Sequence, residues 1–222
     1  MIKAVIFDMY ETLITHYDSP LYFSMHMAAD AGIAVEEFQA LWMPTDTERT
    51  IGKLSFEDAI SDILRKKGRY SDCLLKSMVE KRYAIKRDCF EHLHEEIIPM
   101  LNSLKERGVK IGLISNCFSE EAIVIRESIL FPYFDAVYLS YEQGVKKPDP
   151  QIFERCMKEL QVCPEECIFI GDGGSSELDA SSALGMRAMQ AVWYLKDGTL
   201  HRIRPMKEFE QLKRPMDILQ FI

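Results

Sequence analysis

Five short apolar runs, at residues 2–7, 110–115, 136–140, 167–170 and 188–193, do most to limit what this chain can fold into. Their Val, Ile, Leu and Phe residues follow one another instead of alternating with polar ones, as in strands covered on both faces, and that condition belongs to parallel sheets. Parallel neighbours need long crossovers. Amphipathic stretches of the right length separate the later runs, and each opens on helix-start chemistry. Ser119 precedes Glu120 and Glu121, Asp149 precedes Pro150, and Ser175 precedes Glu177. From about residue 95 onward, strand and helix therefore alternate, which predicts an α/β fold with a doubly wound, mostly parallel sheet. Right-handed crossovers would bring the carboxyl ends of the strands to one edge.

Residues 15–94 interrupt that alternation. They hold no convincing strand, but helical patterns run over 21–31, 55–67 and 74–88, the second opening on Ser55-Phe56-Glu57-Asp58. The prediction is a core domain made of 1–14 and 95–222, with a small helical cap domain of 15–94 inserted after the first strand. A chain of 222 residues with 47% hydrophobic content has enough apolar surface for both. Its formal charge of -8 argues against nucleic acid and anionic membrane as partners, since both attract basic surfaces. The six cysteines, at 73, 89, 117, 156, 163 and 167, show neither a disulfide framework nor paired zinc spacing. No apolar run approaches the roughly 20 residues of a membrane span, and the first residues lack the layout of a secretory signal. The expectation is a cytoplasmic protein with reduced thiols.

Placed on this scaffold, the polar residues gather. Asp8 follows the first strand, and Ser115 and Asn116 end the second. Lys147 follows the third in Gly144-Val145-Lys146-Lys147-Pro148, and Asp172 and Glu177 follow the fourth in Gly171-Asp172-Gly173-Gly174-Ser175-Ser176-Glu177. Each alone has a plain structural use as a turn residue, a cap or a solvated charge. Together at one sheet edge, carboxylates, a lysine and a hydroxyl suit a hard divalent cation beside an anion. Mg²⁺ commonly takes one or two protein carboxylates and leaves the rest of its shell to phosphate and water.

The ordered set Asp8, Ser115, Lys147 and Asp172, over essentially the whole chain, resembles the haloacid dehalogenase-like (HAD) hydrolase superfamily. The resemblance implies a Rossmann-like core, hydrolase activity, Mg²⁺ as cofactor and a small phosphorylated molecule as substrate. It implies Asp8 as nucleophile, Ser115, Asn116 and Lys147 around the phosphate, and Asp8, the Tyr10 backbone carbonyl and Asp172 around the metal, with Glu177 as a further acid behind them. The helical insertion resembles the cap that many members close over substrate.

One position departs from the phosphatase pattern. Those enzymes typically carry a second aspartate two residues after the nucleophile, to protonate the leaving alcohol and activate water; here Tyr10 stands there. A phenol with a pKa of about 10 donates a proton but is a poor base near neutrality. Glu11, His16 and His26 are the other candidates for proton transfer. Two further readings stand beside the phosphatase. Aspartate followed by tyrosine at this spacing resembles the metal-independent 2-haloacid dehalogenases, but those lack the Gly-Asp metal motif and use an arginine early in the cap, whereas the first arginine here is Arg49. The third reading is a catalytically weak protein that binds a phosphometabolite or a protein partner.

Overall fold

The computed structural model describes residues 1–195 and 203–222. Its centre is one sheet of six strands: β1 (Ala4–Phe7), β2 (Lys110–Ser115), β3 (Ala136–Leu139), β4 (Cys167–Gly171), β5 (Arg187–Ala191) and β6 (Glu210–Leu212). The spatial order is β3-β2-β1-β4-β5-β6, and every pairing is parallel. The five apolar runs are the first five strands, each within two residues of its expected ends. β6 lies outside the sequence reading, because three residues reading Glu-Gln-Leu carry no apolar run; it is held as an edge strand by its ladder to β5.

Helices cover both faces of the sheet. Side chains of a strand alternate between faces, so Val5 and Phe7 of β1 join one apolar cluster while Ala4 and Ile6 join another. The first cluster includes α6 (Ile97–Glu106), α7 (Ser119–Glu127) and the C-terminal 3-10 turns, and the second includes α9 (Pro150–Leu160) and α10 (Glu177–Ala183). The short α8 (Ser140–Gln143) follows β3 directly. Between β1 and α6 run α1 (Ser24–Ala31), α2 (Val35–Trp42), α3 (Asp46–Thr50), α4 (Phe56–Lys66) and α5 (Asp72–Asp88). They contain a separate apolar cluster built on Tyr22, Phe38, Trp42, Phe56, Ile60 and Met78.

Helix starts follow the sequence in two cases and depart from it in two. The Ser55 hydroxyl accepts from Asp58 N, and the Asp149 carboxylate accepts from Gln151 N with Pro150 at the first helical position. Ser119, however, is already inside α7. The preceding Phe118 is the cap residue, its N–H donating to Glu121 Oε2, and the Ser119 hydroxyl instead accepts from Phe56 N across the seam to α4. At α10 the cap residue is Ser176 with φ 53°, one place after the expected Ser175. In both cases an acid of the first turn reaches back to backbone N–H groups at or before the cap: Glu121 to Phe118 N, and Glu177 to Gly173 N and Ser175 N.

The helices before α6 meet the sheet's carboxyl edge through specific contacts. Ser140 Oγ donates to Thr50 O at 2.8 Å. Gly52 approaches Tyr141 so closely that a Cβ would stand 2.1 Å from its carbonyl oxygen. No helix among the described residues is long and apolar enough to cross a membrane.

Candidate active site

The carboxyl ends of β1, β2 and β4 and the loop after β3 bring the sequence-expected residues together. Asp8, one residue beyond β1, is buried; its Oδ1 accepts from Met9 N at 2.8 Å and lies 2.6 Å from Lys147 Nζ. Lys147 is thus engaged with Asp8, lowering its carboxyl by charge and by hydrogen bonding. Ser115 Oγ at the end of β2 and Thr12 Oγ1 in the loop after Asp8 are buried without a partner among the described residues. Buried donors are normally satisfied. Two unsatisfied hydroxyls beside a buried aspartate and its paired lysine are suited to receiving an oxyanion.

Asn116 hydrogen-bonds to the Lys147 backbone. Its Nδ2 donates to Lys147 O at 2.9 Å while its Oδ1 accepts from Lys147 N at 2.8 Å. This two-bond clasp ties the end of β2 to the backbone of the lysine loop.

On the other side of Asp8 stand Asp172 and Glu177, and one carboxylate oxygen from each of the three lies within 4.8 Å of the others. All three residues are buried. Glu177 closes the Gly171–Glu177 turn on itself, Oε1 accepting from Gly173 N and Oε2 from Ser175 N, each at 2.7 Å, while Asp172 Oδ1 accepts from Gly174 N at 2.9 Å. A side chain at Gly171 would collide with this arrangement, its Cβ standing 2.6 Å from Glu177 Oε1. Burial raises the Asp8 carboxyl, Lys147 lowers it, and the nearby Glu177 and Asp172 raise it further, to about 7. Hard oxygen donors crowded this closely fit a divalent cation, whose charge offsets the repulsion among them. Asp8 and Asp172 are the better placed ligands, since both Glu177 oxygens already hold backbone.

Tyr10 points away from the carboxylates toward the helical insertion. Its ring stacks on His16 with centroids 4.4 Å apart, Lys86 Nζ lies 5.0 Å from the ring, and its hydroxyl is buried without a partner among the described residues. Burial first, then the Glu121 carboxylate, pushes its pKa well above 10. His16 is pushed well below its ordinary value by burial and by Lys86. Glu11 is engaged elsewhere: at φ 58° its carboxylate folds back to accept from Thr15 Oγ1 and His16 N. His26 Nδ1 accepts from Phe23 N at the start of α1. Arg49 lies flat between Trp42 and Phe118, with Nε donating to Thr45 Oγ1.

A cleft of about 310 Å³ opens beside this site, between core residues that include Tyr10, Asn116 and Ser175 and the insertion residues Asp46 and Thr50, with Glu121 in its wall. Behind Glu121 lies a buried group of charges that the sequence reading missed. Arg82 of α5 donates to Glu120 Oε1 at 2.9 Å and to Glu121 Oε1 at 3.3 Å, and Lys86 Nζ lies 2.5 Å from Glu121 Oε1. Burial would raise the Glu121 carboxyl, but Lys86 and Arg82 pull it down to about 2. Three more supports went unread. Gln190 Nε2 donates to Asp172 O, and Trp193 Nε1 and Tyr194 Oη donate to the carbonyls of Thr12 and Leu13. They hold the Asp172 backbone and the loop after Asp8.

Comparison with known proteins bears on what this edge of the sheet does. The chain is 25% identical over 240 residues to a glyceraldehyde 3-phosphate phosphatase of Methanopyrus kandleri, covering 100% of this chain and 97% of the relative. A HAD family enzyme of Bacteroides thetaiotaomicron, crystallised with magnesium and inorganic phosphate, superposes with TM-score 0.67 at 20% identity over 90% of this chain and 96% of that one. An L-2-haloacid dehalogenase of Xanthobacter autotrophicus with chloropropionic acid covalently bound gives TM-score 0.64 at 18% identity, covering 100% and 98%. At these identities the two structures share the fold alone. Residues 2–185 match the family model for haloacid dehalogenase-like hydrolases, and the chain belongs to that hydrolase family.

Proposed function

We propose that the chain is a cytoplasmic, Mg²⁺-dependent phosphatase that hydrolyses a small phosphorylated metabolite through an aspartyl-phosphate on Asp8. The observation that carries this reading is the juxtaposition of the unsatisfied Ser115 and Thr12 hydroxyls and the Lys147 ammonium with the Asp8, Asp172 and Glu177 carboxylate group. The first suits a phosphate and the second suits the cation that travels with it. A relative named a phosphatase over its full length adds to it.

Mg²⁺ held by Asp8, Asp172 and the Tyr10 carbonyl would supply positive charge for the phosphate oxygens. Lys147 adds a second cation, and Ser115 and Thr12 offer hydroxyl donors to the same oxygens. The Asp8 carboxylate attacks phosphorus, the ester P–O bond breaks, and the leaving oxygen departs as the anion and takes its proton from solvent water. Water then attacks the acyl phosphate, releasing inorganic phosphate and restoring the carboxylate. Tyr10, kept protonated, can hydrogen-bond to the leaving oxygen but cannot take a proton from water. General acid–base help is typically worth about 10²–10⁴-fold, so aryl and acyl phosphates should turn over faster than alkyl ones. Residues 15–94 serve as the cap that closes over the 1–14 and 95–222 core and excludes water. The acidic charge balance fits a small-molecule substrate better than nucleic acid.

The dehalogenase reading is weaker because Asp172, the acid of the Gly-Asp motif those enzymes lack, lies with Asp8 and Glu177 in a carboxylate group that suits a metal. The deciding experiment measures phosphate and halide release in parallel from 4-nitrophenyl phosphate, acetyl phosphate, an alkyl phosphate and 2-chloropropionate, with Mg²⁺ or chelator, beside Asp8→Asn. Phosphate release that needs both Mg²⁺ and Asp8 is expected. Metal-independent halide release would replace the proposal with the dehalogenase, and silence on every substrate would favour a binding protein.

A further inference from the structure

The outer end of the α5–α7 seam carries apolar surface that the fold leaves uncovered. Among the described residues, the large apolar side chains in open solvent are Met1, Met25, Met43, Ile123 and Ile129. Ile123 is on α7 and Ile129 lies two residues past its end, and they are 44% and 60% exposed. Apolar residues scattered singly need no partner. These two instead stand beside a groove of about 220 Å³, lined by the buried Phe90 and Val124 and by the exposed Arg87, Glu91, Glu127 and Ile129. Ile123 is one turn before Glu127 on the same face of α7, next to the groove without lining it. The rim carries both signs of charge: Arg87 Nη2 lies 2.9 Å from Glu127 Oε2, with more than half of each side chain exposed.

Pairing of a chain with its own copy about a two-fold axis sets one patch against itself, so the patch must hold both a knob and its hole and both a cation and its anion. This face holds all four. Ile123 is the knob, Phe90 and Val124 floor the hole, Arg87 is the cation, and Glu127 and Glu91 are the anions. We propose that two copies of the chain pair here, with their α7 helices antiparallel, Ile123 of each copy seated in the groove of the other and Arg87 of each copy facing Glu127 of the other. A partner of a single charge sign would set a like charge against either Arg87 or Glu127, which opposes binding. A second copy satisfies both. The contact also spans the helical insertion and the core, because Arg82 to Glu120 and Arg87 to Glu127 tie α5 to α7 along its length. Pairing therefore holds the insertion against the core. The inference stands apart from the phosphatase reading, since none of its residues belongs to the site at Asp8.

The test is sedimentation velocity on the full chain from about 1 to about 100 µM, a range suited to an interface of modest size. A species of twice the chain's mass that grows with concentration is expected, and Tm should rise over the same range. Ile123→Glu and Ile129→Glu each place an unpaired carboxylate in the contact and should weaken association by about a hundredfold or more. Both replace exposed side chains, so circular dichroism should be unaltered. Glu127→Arg should dissociate the pair, and adding Arg87→Glu should restore it. A monomer throughout that range in the unaltered chain would overturn the inference. A dimer that survives both isoleucine variants, or that dissociates in Met25→Glu or Met43→Glu instead, would place the contact elsewhere and overturn it too. Growth beyond the dimer would refute the two-fold arrangement.

Discussion

Replacing Asn116 by alanine separates two uses of this side chain, as a direct phosphate contact and as the clasp that holds Lys147. The clasp consists of two partly buried hydrogen bonds, 2.9 Å to Lys147 O and 2.8 Å from Lys147 N. At about 0.5–1.5 kcal/mol each, their loss costs about 1–3 kcal/mol. For a chain of this length each kcal/mol moves Tm by about 2–4 °C, so Asn116→Ala should melt about 2–12 °C lower. The same change frees the backbone that places Lys147 Nζ 2.6 Å from Asp8. A misplacement on the order of 1 Å can cost about 10²-fold, so kcat should fall by about ten- to a hundredfold. Asn116→Asp keeps the acceptor for Lys147 N but sets a carboxylate oxygen against the Lys147 carbonyl, and should rescue neither property. The assay pairs thermal melts with steady-state kinetics on 4-nitrophenyl phosphate and with inhibition by inorganic phosphate. An unchanged Tm and kcat with weakened phosphate inhibition would refute the clasp and return Asn116 to the anion.

Asp8, raised to about 7, binds its proton more tightly in the folded state than in the unfolded chain, so metal-free protein should lose stability as pH rises from about 4 to about 7. Mg²⁺ should therefore raise Tm more at pH 7.5 than at pH 5, and equal shifts would count against the carboxylate cluster as its site. Glu121, lowered to about 2, has the opposite sign in a lower window: its contribution is complete above about pH 4.5 and is lost on acidification toward 2, visible as an acid limb in the melts. Gly171→Ala must displace Glu177, with an expected cost of about 1–3 kcal/mol and weaker Mg²⁺ binding by calorimetry. Arg82→Met leaves Glu120 and Glu121 with Lys86 alone and should cost about 3–5 kcal/mol in urea unfolding, partly recovered by adding Glu120→Gln.

The parts of this molecule that were legible in sequence are those written locally. A parallel strand covered on both faces declares itself as an apolar run, and the residue just past it lies at the sheet edge by topology alone. Asp8, Ser115, Lys147 and Asp172 could therefore be gathered without coordinates. What stayed hidden depends on partners far along the chain. Arg82 and Lys86 read as two more charges on a charged helix, and Glu120 and Glu121 as an ordinary acidic first turn. Only the packing of α5 against α7, across a separation of 38 residues from Arg82 to Glu120, makes them a buried cluster. The Asn116 clasp was unreadable for a related reason, since its partner is the Lys147 backbone 31 residues along the chain. β6 was invisible because an edge strand of three residues needs no apolar run, only a free ladder on β5.

The same division explains how position 10 can carry a tyrosine without dismantling the centre. The carboxylates, Lys147 and the unsatisfied hydroxyls are held by strand ends, by the Asn116 clasp and by the Gly171–Glu177 turn, none of which uses the Tyr10 side chain. Tyr10 spends its ring on His16 and lies near Lys86, contacts with the helical insertion. Glu11 enforces that direction. It adopts a left-handed φ of 58° that is costly for a residue with a side chain, and its carboxylate offsets part of the cost by tying down Thr15 and His16 N. The turn thus removes Glu11 from contention as a replacement acid and fixes His16 beneath the phenol. In the proposed phosphatase, substitution at position 10 would accordingly alter the side of the site turned to the helical insertion and spare the carboxylates and Lys147. On the proposed reading, phosphate capture and leaving-group choice would then vary separately, because different contacts hold the two sides of the site.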